Sequence, residues 1–208
     1  MNPKIEEILQ RISHLEEQVE QEYKERRDQL KADFEGHRVR FEAEELELHR
    51  RFKKGLMTYL LSADLRNILS APFIYPLIVP LVFIDLFISI YQYICFSLYR
   101  IPYVKRRDCF VFDRTYLAYL NLIEKINCAY CSYANGLATY IKEIVARTEL
   151  YWCPIKHARK IVHAHPYYKE FSDFGSAQSY QKELAELRER LASICIDPAQ
   201  PRVKKLKD

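Results

Sequence analysis

The chain has 208 residues, with 32 Lys and Arg against 28 Asp and Glu, and it contains four glycines. It lacks a phosphate-binding glycine loop, a dinucleotide fingerprint and a nucleophile triad, which argues against the common nucleotide-dependent and hydrolytic enzymes. The charge is uneven, because residues 1–55 hold 12 basic and 14 acidic side chains whereas residues 99–208 hold 19 and 12. No nucleic-acid-binding motif accompanies the basic part, so we expect no nucleic-acid partner.

The first 55 residues predict a coiled coil. Apolar residues recur at steps of three and four, and a second seam in a shifted register follows them. The first seam is Ile5, Ile8, Ile12, Leu15 and Val19, and the second is Tyr23, Leu30, Phe34, Phe41, Leu48 and Phe52. We expect this coiled coil to self-associate or to bind a partner helix; the alternative is one solvated helix with weak seams. The start of the chain shows no cleavable signal peptide, so we expect the N-terminus in the cytosol.

Residues 56–104 predict a membrane segment. The run from Ala71 to Leu98 holds 28 residues with one charge, Asp85, and is long enough to cross a bilayer. Prolines at 72, 76 and 80 predict an irregular or kinked entry. Two topologies fit this pattern: a single span, or a re-entrant hairpin in which residues 56–75 descend and residues 77–98 return.

Charged residues in and after the apolar run suggest two roles. No basic residue lies between Arg66 and Arg100, so we interpret Asp85 first as an oligomer-interface residue and second as a proton or ion site. A basic cluster next to a membrane attracts anionic lipid. We therefore expect lipid headgroups to contact the cluster after the run, which is Arg100, Lys105, Arg106 and Arg107.

Four thiol and imidazole groups have the spacing of a metal site. Cys128 and Cys131 form one pair, and Cys153 and His157 form another. Asn135-Gly136 predicts the end of a helix, and Cys153-Pro154 predicts the start of the next, with His157 one turn further on. Two helix ends would then supply two ligands each, which predicts a tetrahedral Cys3His site for zinc or, alternatively, iron.

Other interpretations of the cysteines and histidines stay open. The thiols can be unliganded reduced cysteines in a core, or a redox dithiol. His163 and His165 are candidates for a second metal site, or else solvent-exposed histidines beside Pro166. Six cysteines without the density of a disulfide scaffold fit a reducing compartment.

The last part of the chain predicts one helix and a tail. An apolar stripe predicts a helix that packs on the cysteine domain, which we place at residues 105–195. Residues 196–208 have the composition of a flexible basic tail. The stripe is Tyr180, Leu184, Leu187, Leu191 and Ile194.

The segments NCAYCSYANG and RTELYWCPIKHARK resemble sequence found in uncharacterised bacterial membrane proteins, over residues 108–190. The resemblance implies that the cysteine segment is one unit and names no activity. Together these patterns predict an all-α protein at the bacterial inner membrane with its cysteine domain facing the cytosol. Its expected function is that of a membrane-anchored scaffold or assembly protein, bound to lipid and to itself or a protein partner. The alternative is a membrane-bound thiol or metal redox component.

Overall fold

The computed structural model describes residues 3–29, 32–35, 38–62 and 64–192, and its architecture is all-α, as predicted. The predicted basic tail lies outside the described residues. The chain falls into two compact units. The first is formed by residues 1–55 and 113–121, and the second by residues 56–112 and 122–208.

The first unit begins with a long helix, Pro3–Asp28, which we call the N-terminal helix. Two short antiparallel strands follow, Ala32–Glu35 and Arg38–Phe41, and then a helix at Ala43–Arg51. The helices Pro3–Asp28 and Ala43–Arg51 fit the helical part of the prediction over residues 1–55, whereas the two strands interrupt the second seam. The physical reason is local: two four-residue runs are separated by Gly-His, and a two-residue spacing that includes glycine favours a hairpin. Association through a coiled coil stays a prediction.

The second unit contains a 35-residue helix, Leu65–Tyr99, which we call the apolar helix. It includes a 3₁₀ turn at Tyr75–Leu77 and a π-helical turn at Gln92–Phe96, and the helix Leu56–Leu61 precedes it. The predicted re-entrant hairpin is wrong, because the chain does not reverse between residues 65 and 99. Of the three prolines, Pro72 lies inside the helical segment Leu65–Ile74, Pro76 in the 3₁₀ turn and Pro80 in the first turn of the segment Ile78–Tyr91. The predicted irregularity is therefore a 3₁₀ turn within the helix.

A second long helix, Leu122–Trp152, carries the CxxC pair, and we call it the cysteine helix. The predicted helix end at Asn135-Gly136 is wrong, since the helix continues through both residues. Packing explains this: a Cβ on Gly136 would lie 2.8 Å from Cδ1 of Phe110 and 3.1 Å from the carbonyl oxygen of Cys109. Gly136 thus allows the chain after the apolar helix to pack directly on the cysteine helix.

The apolar helix and the cysteine helix run parallel. Their contacts advance in the same direction along both, from Tyr75 with Asn127, through Asp85 with Tyr133, to Gln92 with Tyr140. Two parallel helices need a return connection. Residues 101–112, which we call the connector, contain the short helix Arg106–Cys109 and lie against both long helices.

The core of the second unit lies around the C-terminal half of the cysteine helix. The helix Ala177–Ala192 packs there through Leu187 and Leu191, which confirms the predicted apolar stripe at these two positions. Ile194 of that stripe lies outside the described residues. A 3₁₀ helix at Pro166–Glu170 adds Tyr167. The remaining buried apolar residues of this cluster are Phe96, Ile101, Val104, Leu137, Tyr140, Ile144, Ala146, Leu150 and Phe171.

Candidate functional site

The structure does not bring the four predicted metal ligands together. Cys128 and Cys131 lie near the start of the cysteine helix, with Cys131 exposed, and Cys153 directly follows its last residue, Trp152. At 1.5 Å per residue, the 22 residues from Cys131 to Cys153 span about 33 Å, whereas ligands of one zinc ion lie within a few Å of each other. Among the residues described, no group of three or more His, Cys, Asp or Glu side chains could hold a metal ion.

Cys153 ends a helix instead of starting one. Its amide donates to the carbonyl of Glu149 at 2.9 Å, the last bond of the cysteine helix. Beyond it the chain is extended, and the amide of Ser172 donates to the carbonyl of Pro154 at 2.9 Å. This pairing holds Pro154 and Ile155 in a short bridge, so His157 does not lie one helical turn beyond Cys153. The amide of His157 donates to the hydroxyl of Tyr168 at 2.6 Å.

The other two histidines, His163 and His165, have different hydrogen-bond partners. Nε2 of His165 lies 3.0 Å from Oε2 of Glu149, and the carbonyl of His163 accepts from Nζ of Lys142 at 3.1 Å. Both line an open groove of about 550 Å³ beside the cysteine helix, together with His157. Among the described residues these three imidazoles belong to no group that could hold a metal ion, so the structure does not assemble the predicted second metal site.

Asp85 has partners within its own chain. Arg106 of the connector forms a two-pronged ion pair with it, Nη1 at 2.5 Å from Oδ1 and Nη2 at 2.8 Å from Oδ2. The hydroxyl of Tyr133 donates to Oδ2 at 2.9 Å, and Oγ of Ser89 lies 3.4 Å from Oδ1. The predicted oligomer-interface role of Asp85 was based on the absence of a basic residue nearby in the sequence, and Arg106 supplies one within the chain. The ion pair holds Arg106 against the apolar helix, although all four residues of the predicted headgroup cluster are exposed, namely Arg100, Lys105, Arg106 and Arg107. Their contact with lipid headgroups stays a prediction.

Aromatic rings fix the position of Arg106. Its guanidinium lies over the ring of Phe110 at 4.6 Å and near that of Tyr140 at 5.2 Å. Such cation–π contacts add to the ion pair when the cation is partly desolvated. Because Phe110 packs on Gly136, the glycine, the ring and the ion pair form one contact between the connector and the two long helices.

A second polar contact lies two turns further along the apolar helix. Gln92 is 6% exposed. Its Nε2 donates to the hydroxyl of Tyr140 at 3.0 Å and to the carbonyl of Val104 at 3.3 Å. Its Oε1 accepts from the amide of Val104 at 3.1 Å. Burial of a polar side chain costs little when its hydrogen bonds are made, so Gln92 links all three segments.

A third polar cluster is centred on Arg147, which is 1% exposed. Its Nε donates to Oε1 of Glu143 at 3.0 Å, and its Nη1 donates to the carbonyl of Pro102. The hydroxyl of Tyr167 donates to the same Glu143 oxygen. Burial, with the neighbouring Glu143 carboxylate, raises the pKa of Tyr167 above its usual range. The cluster therefore joins the cysteine helix to the connector and to the segment near residue 167.

The opposite side of the apolar helix is exposed and apolar. From Ile68 to Ile94, a stretch that the structure describes completely, every exposed residue is aliphatic, aromatic or proline. Phe73 is 78% exposed and Phe87 is 67% exposed. In the described part of the chain this is the one helix long and apolar enough to cross a membrane, and none of its most apolar window is buried. A core helix of a soluble domain would bury that window.

Sequence reasoning missed the polar contacts because they depend on chain segments far apart. Asp85 and Arg106 are separated by 21 residues, and Gln92 and Tyr140 by 48. One local signal was available: polar residues Asp85, Ser89 and Gln92 recur at steps of four and three in an apolar run, which places them on one face.

No family model, curated protein or solved structure matches this chain.

The cysteines should differ sharply in reactivity. Burial, together with Glu143 and Asp108, raises the pKa of Cys109 from 9.0 to about 11, so its thiolate is about 100-fold scarcer than that of a thiol with the ordinary pKa. In detergent-solubilised full-length protein at pH 8, we expect fast alkylation of exposed Cys131 and Cys153 and slow alkylation of Cys109, followed by peptide mass mapping. Chelator should leave these rates unchanged. If Cys131 and Cys153 were protected from alkylation and a chelator removed that protection, the result would contradict the separation of the four predicted metal ligands.

Proposed function

We propose that this chain is a membrane-attached assembly protein. Its apolar helix binds the bilayer, and its N-terminal helix associates with a second copy or with a partner helix. The observation that carries the proposal is the exposed apolar side of Leu65–Tyr99, over which no other described part of the unit packs. Contact with acyl chains would remove this surface from water, which is favourable in proportion to the apolar area covered.

The N-terminal helix supports the assembly part of the proposal. Its first seam includes Ile8, Ile12, Leu15 and Val19, all of them exposed. Apolar residues at steps of three and four on an otherwise charged helix are buried when a second such helix packs against them. The molar mass of the full-length protein in detergent, measured by light scattering, tests this: a monomer at all concentrations contradicts self-association.

We place the cysteine unit on the cytosolic side of a bacterial inner membrane. The support is the presence of free thiols at Cys95, Cys109, Cys128, Cys131 and Cys153, which suits a reducing compartment, together with the resemblance to bacterial membrane proteins. The separation of Cys131 from Cys153 leaves the single-chain metal centre out of the proposal. Exposure of these two thiols favours the second candidate, a membrane-bound thiol redox component, which the alkylation experiment addresses.

A pair of matched variants tests membrane attachment. Phe87 on the apolar helix and Phe174 in a loop are 67% and 68% exposed, so replacing either by Asp removes a similar exposed ring. We expect Phe87→Asp to weaken binding to lipid vesicles at least about tenfold, because an acidic side chain at the middle of an inserted helix costs about 2.5–3.5 kcal/mol. Phe174→Asp should bind like the wild type. Equal vesicle binding by both variants, measured by co-flotation, would contradict the proposal.

A further inference from the structure

The exposed apolar surface is longer than a bilayer is thick. It extends from Ile68 to Ile94, because exposed Arg66 and Asn67 precede it and exposed Ser97 follows it. These 26 residues span about 39 Å at the helical rise. The hydrocarbon core of a bilayer is about 30 Å thick. A spanning helix would thus leave part of its apolar surface in water unless it tilted by about 40°, the upper end of the observed range.

Charged side chains from neighbouring segments lie beside the middle of the apolar helix. Arg106 binds Asp85 there, so its neighbours Lys105 and Arg107 lie at the same height, and both are exposed. Further along, exposed Lys142 follows Tyr140, which contacts Gln92. In a spanning arrangement several of these cations would lie at the depth of the acyl chains, where charged side chains are strongly disfavoured.

The connector adds a backbone argument. Residues 101–105 and 110–112 are not helical, and Val104 among them bonds to Gln92 of the apolar helix. Irregular backbone exposed to lipid leaves N–H and C=O groups without partners, so it is not found in the hydrocarbon region unless protein covers it. Tyr103 and Val111 of the connector are exposed, so the described residues of the unit leave part of this irregular segment uncovered.

The exposed cations and the irregular connector lie on one side of the apolar helix. The cysteine helix and the connector, with Lys105, Arg107 and Lys142, occupy the side of the apolar helix that carries Asp85 and Gln92. The other side, from Ile68 to Ile94, has no charged residue. We propose that the apolar helix lies in the plane of one leaflet, with this other side in contact with acyl chains. Its partner is an anionic lipid surface, and Lys105 and Arg107 are at headgroup level. The inference rests on the membrane attachment proposed above.

Fluorescence quenching of reporters at three positions, by bromine at two depths, separates an in-plane helix from a span. The chain has a single tryptophan, Trp152, so single reporters can be introduced in a Trp152→Phe background. Phe73→Trp, Phe87→Trp and Leu98→Trp replace side chains of similar exposure, and the first and last lie about 38 Å apart along the helix. Phe174→Trp is the control. The full-length proteins are bound to phosphatidylcholine–phosphatidylglycerol vesicles whose acyl chains carry bromine near the headgroup or near the chain end.

We expect all three reporters to be quenched most by the shallow bromine and to equal extents, with the control at least fivefold less quenched. Strongest quenching of Phe87→Trp by the deep bromine, with Phe73→Trp and Leu98→Trp shallow, indicates a span and overturns the in-plane inference while membrane attachment stands. Absence of quenching in protein that does not float with vesicles contradicts both. If circular dichroism shows that Trp152→Phe has lost helix, the reporters are placed in the wild-type chain and the Trp152 signal is subtracted.

Discussion

Replacing Arg147 by Met should lower the free energy of unfolding by about 3 kcal/mol. Arg147 is 1% exposed and donates to Glu143 and to the carbonyl of Pro102. Methionine has a similar length, so the loss comes mainly from leaving the Glu143 carboxylate and a buried carbonyl without their donor. Removing one partner of a buried ion pair costs about 3–5 kcal/mol, and the partial exposure of Glu143 places this case at the lower end.

The measurement is urea denaturation of the full-length protein in mild detergent, followed by Trp152 fluorescence. Arg159→Met is the matched control, since Arg159 lies exposed in a loop, and it should change stability by less than about 0.5 kcal/mol. The double variant Glu143→Gln with Arg147→Met should recover part of the loss, because no carboxylate is then left without a cation. Equal stability of Arg147→Met and the control would show that the cluster does not join the unit.

Arg106→Met should destabilise the second unit by about 2 kcal/mol. The substitution leaves Asp85 with the hydroxyls of Tyr133 and Ser89 and no cation. Arg106 is 46% exposed and Asp85 14% exposed, so the cost is smaller than for a fully buried pair. Asp85→Asn alone should also destabilise the second unit, because Arg106, which lies over the ring of Phe110, would then face a neutral amide.

A double-mutant cycle isolates the pair. The combined variant Asp85→Asn with Arg106→Met should be more stable than the sum of the single losses predicts, by about 1–2 kcal/mol. Arg107→Met is the control, because Arg107 is 64% exposed and makes one longer ion-pair contact with Asp108, at 3.5 Å. Strict additivity of the two single changes in denaturation free energy would mean that the contact at Asp85 does not hold the connector in place.

The elements that could be predicted from the sequence are those set by local pattern. The apolar run is helical because no helix-breaking residue interrupts it from Leu81 to Leu98. Leu187 and Leu191 are buried because their spacing places both on the same face of a helix. Gly136 shows where local rules fail. A glycine after asparagine favours a helix end, but contact with Phe110 requires a residue without a Cβ, and this tertiary demand is not visible in the pattern.

The four predicted metal ligands are not brought together, for the same reason. The spacing of Cys128, Cys131 and Cys153 has the form of a zinc site, but spacing assigns ligands correctly only if the chain folds back between them. One continuous helix from Leu122 to Trp152 prevents that. The partner of Asp85 could not be identified either, because in the sequence Arg106 is one of several neighbouring basic residues and nothing distinguishes it from them. Its position is decided by Gly136, Phe110 and Tyr140, which lie on other segments.

Extraction of native membranes with alkaline carbonate tests the central claim, that the exposed apolar side of Leu65–Tyr99 is covered by lipid. We predict that the full-length wild-type protein stays in the membrane pellet after carbonate and is released only by detergent. This would follow because apolar contact, unlike contact through Lys105 and Arg107 alone, persists when electrostatic attraction is weakened. Recovery of the protein in the carbonate supernatant, as a folded species that needs no detergent, would contradict the account.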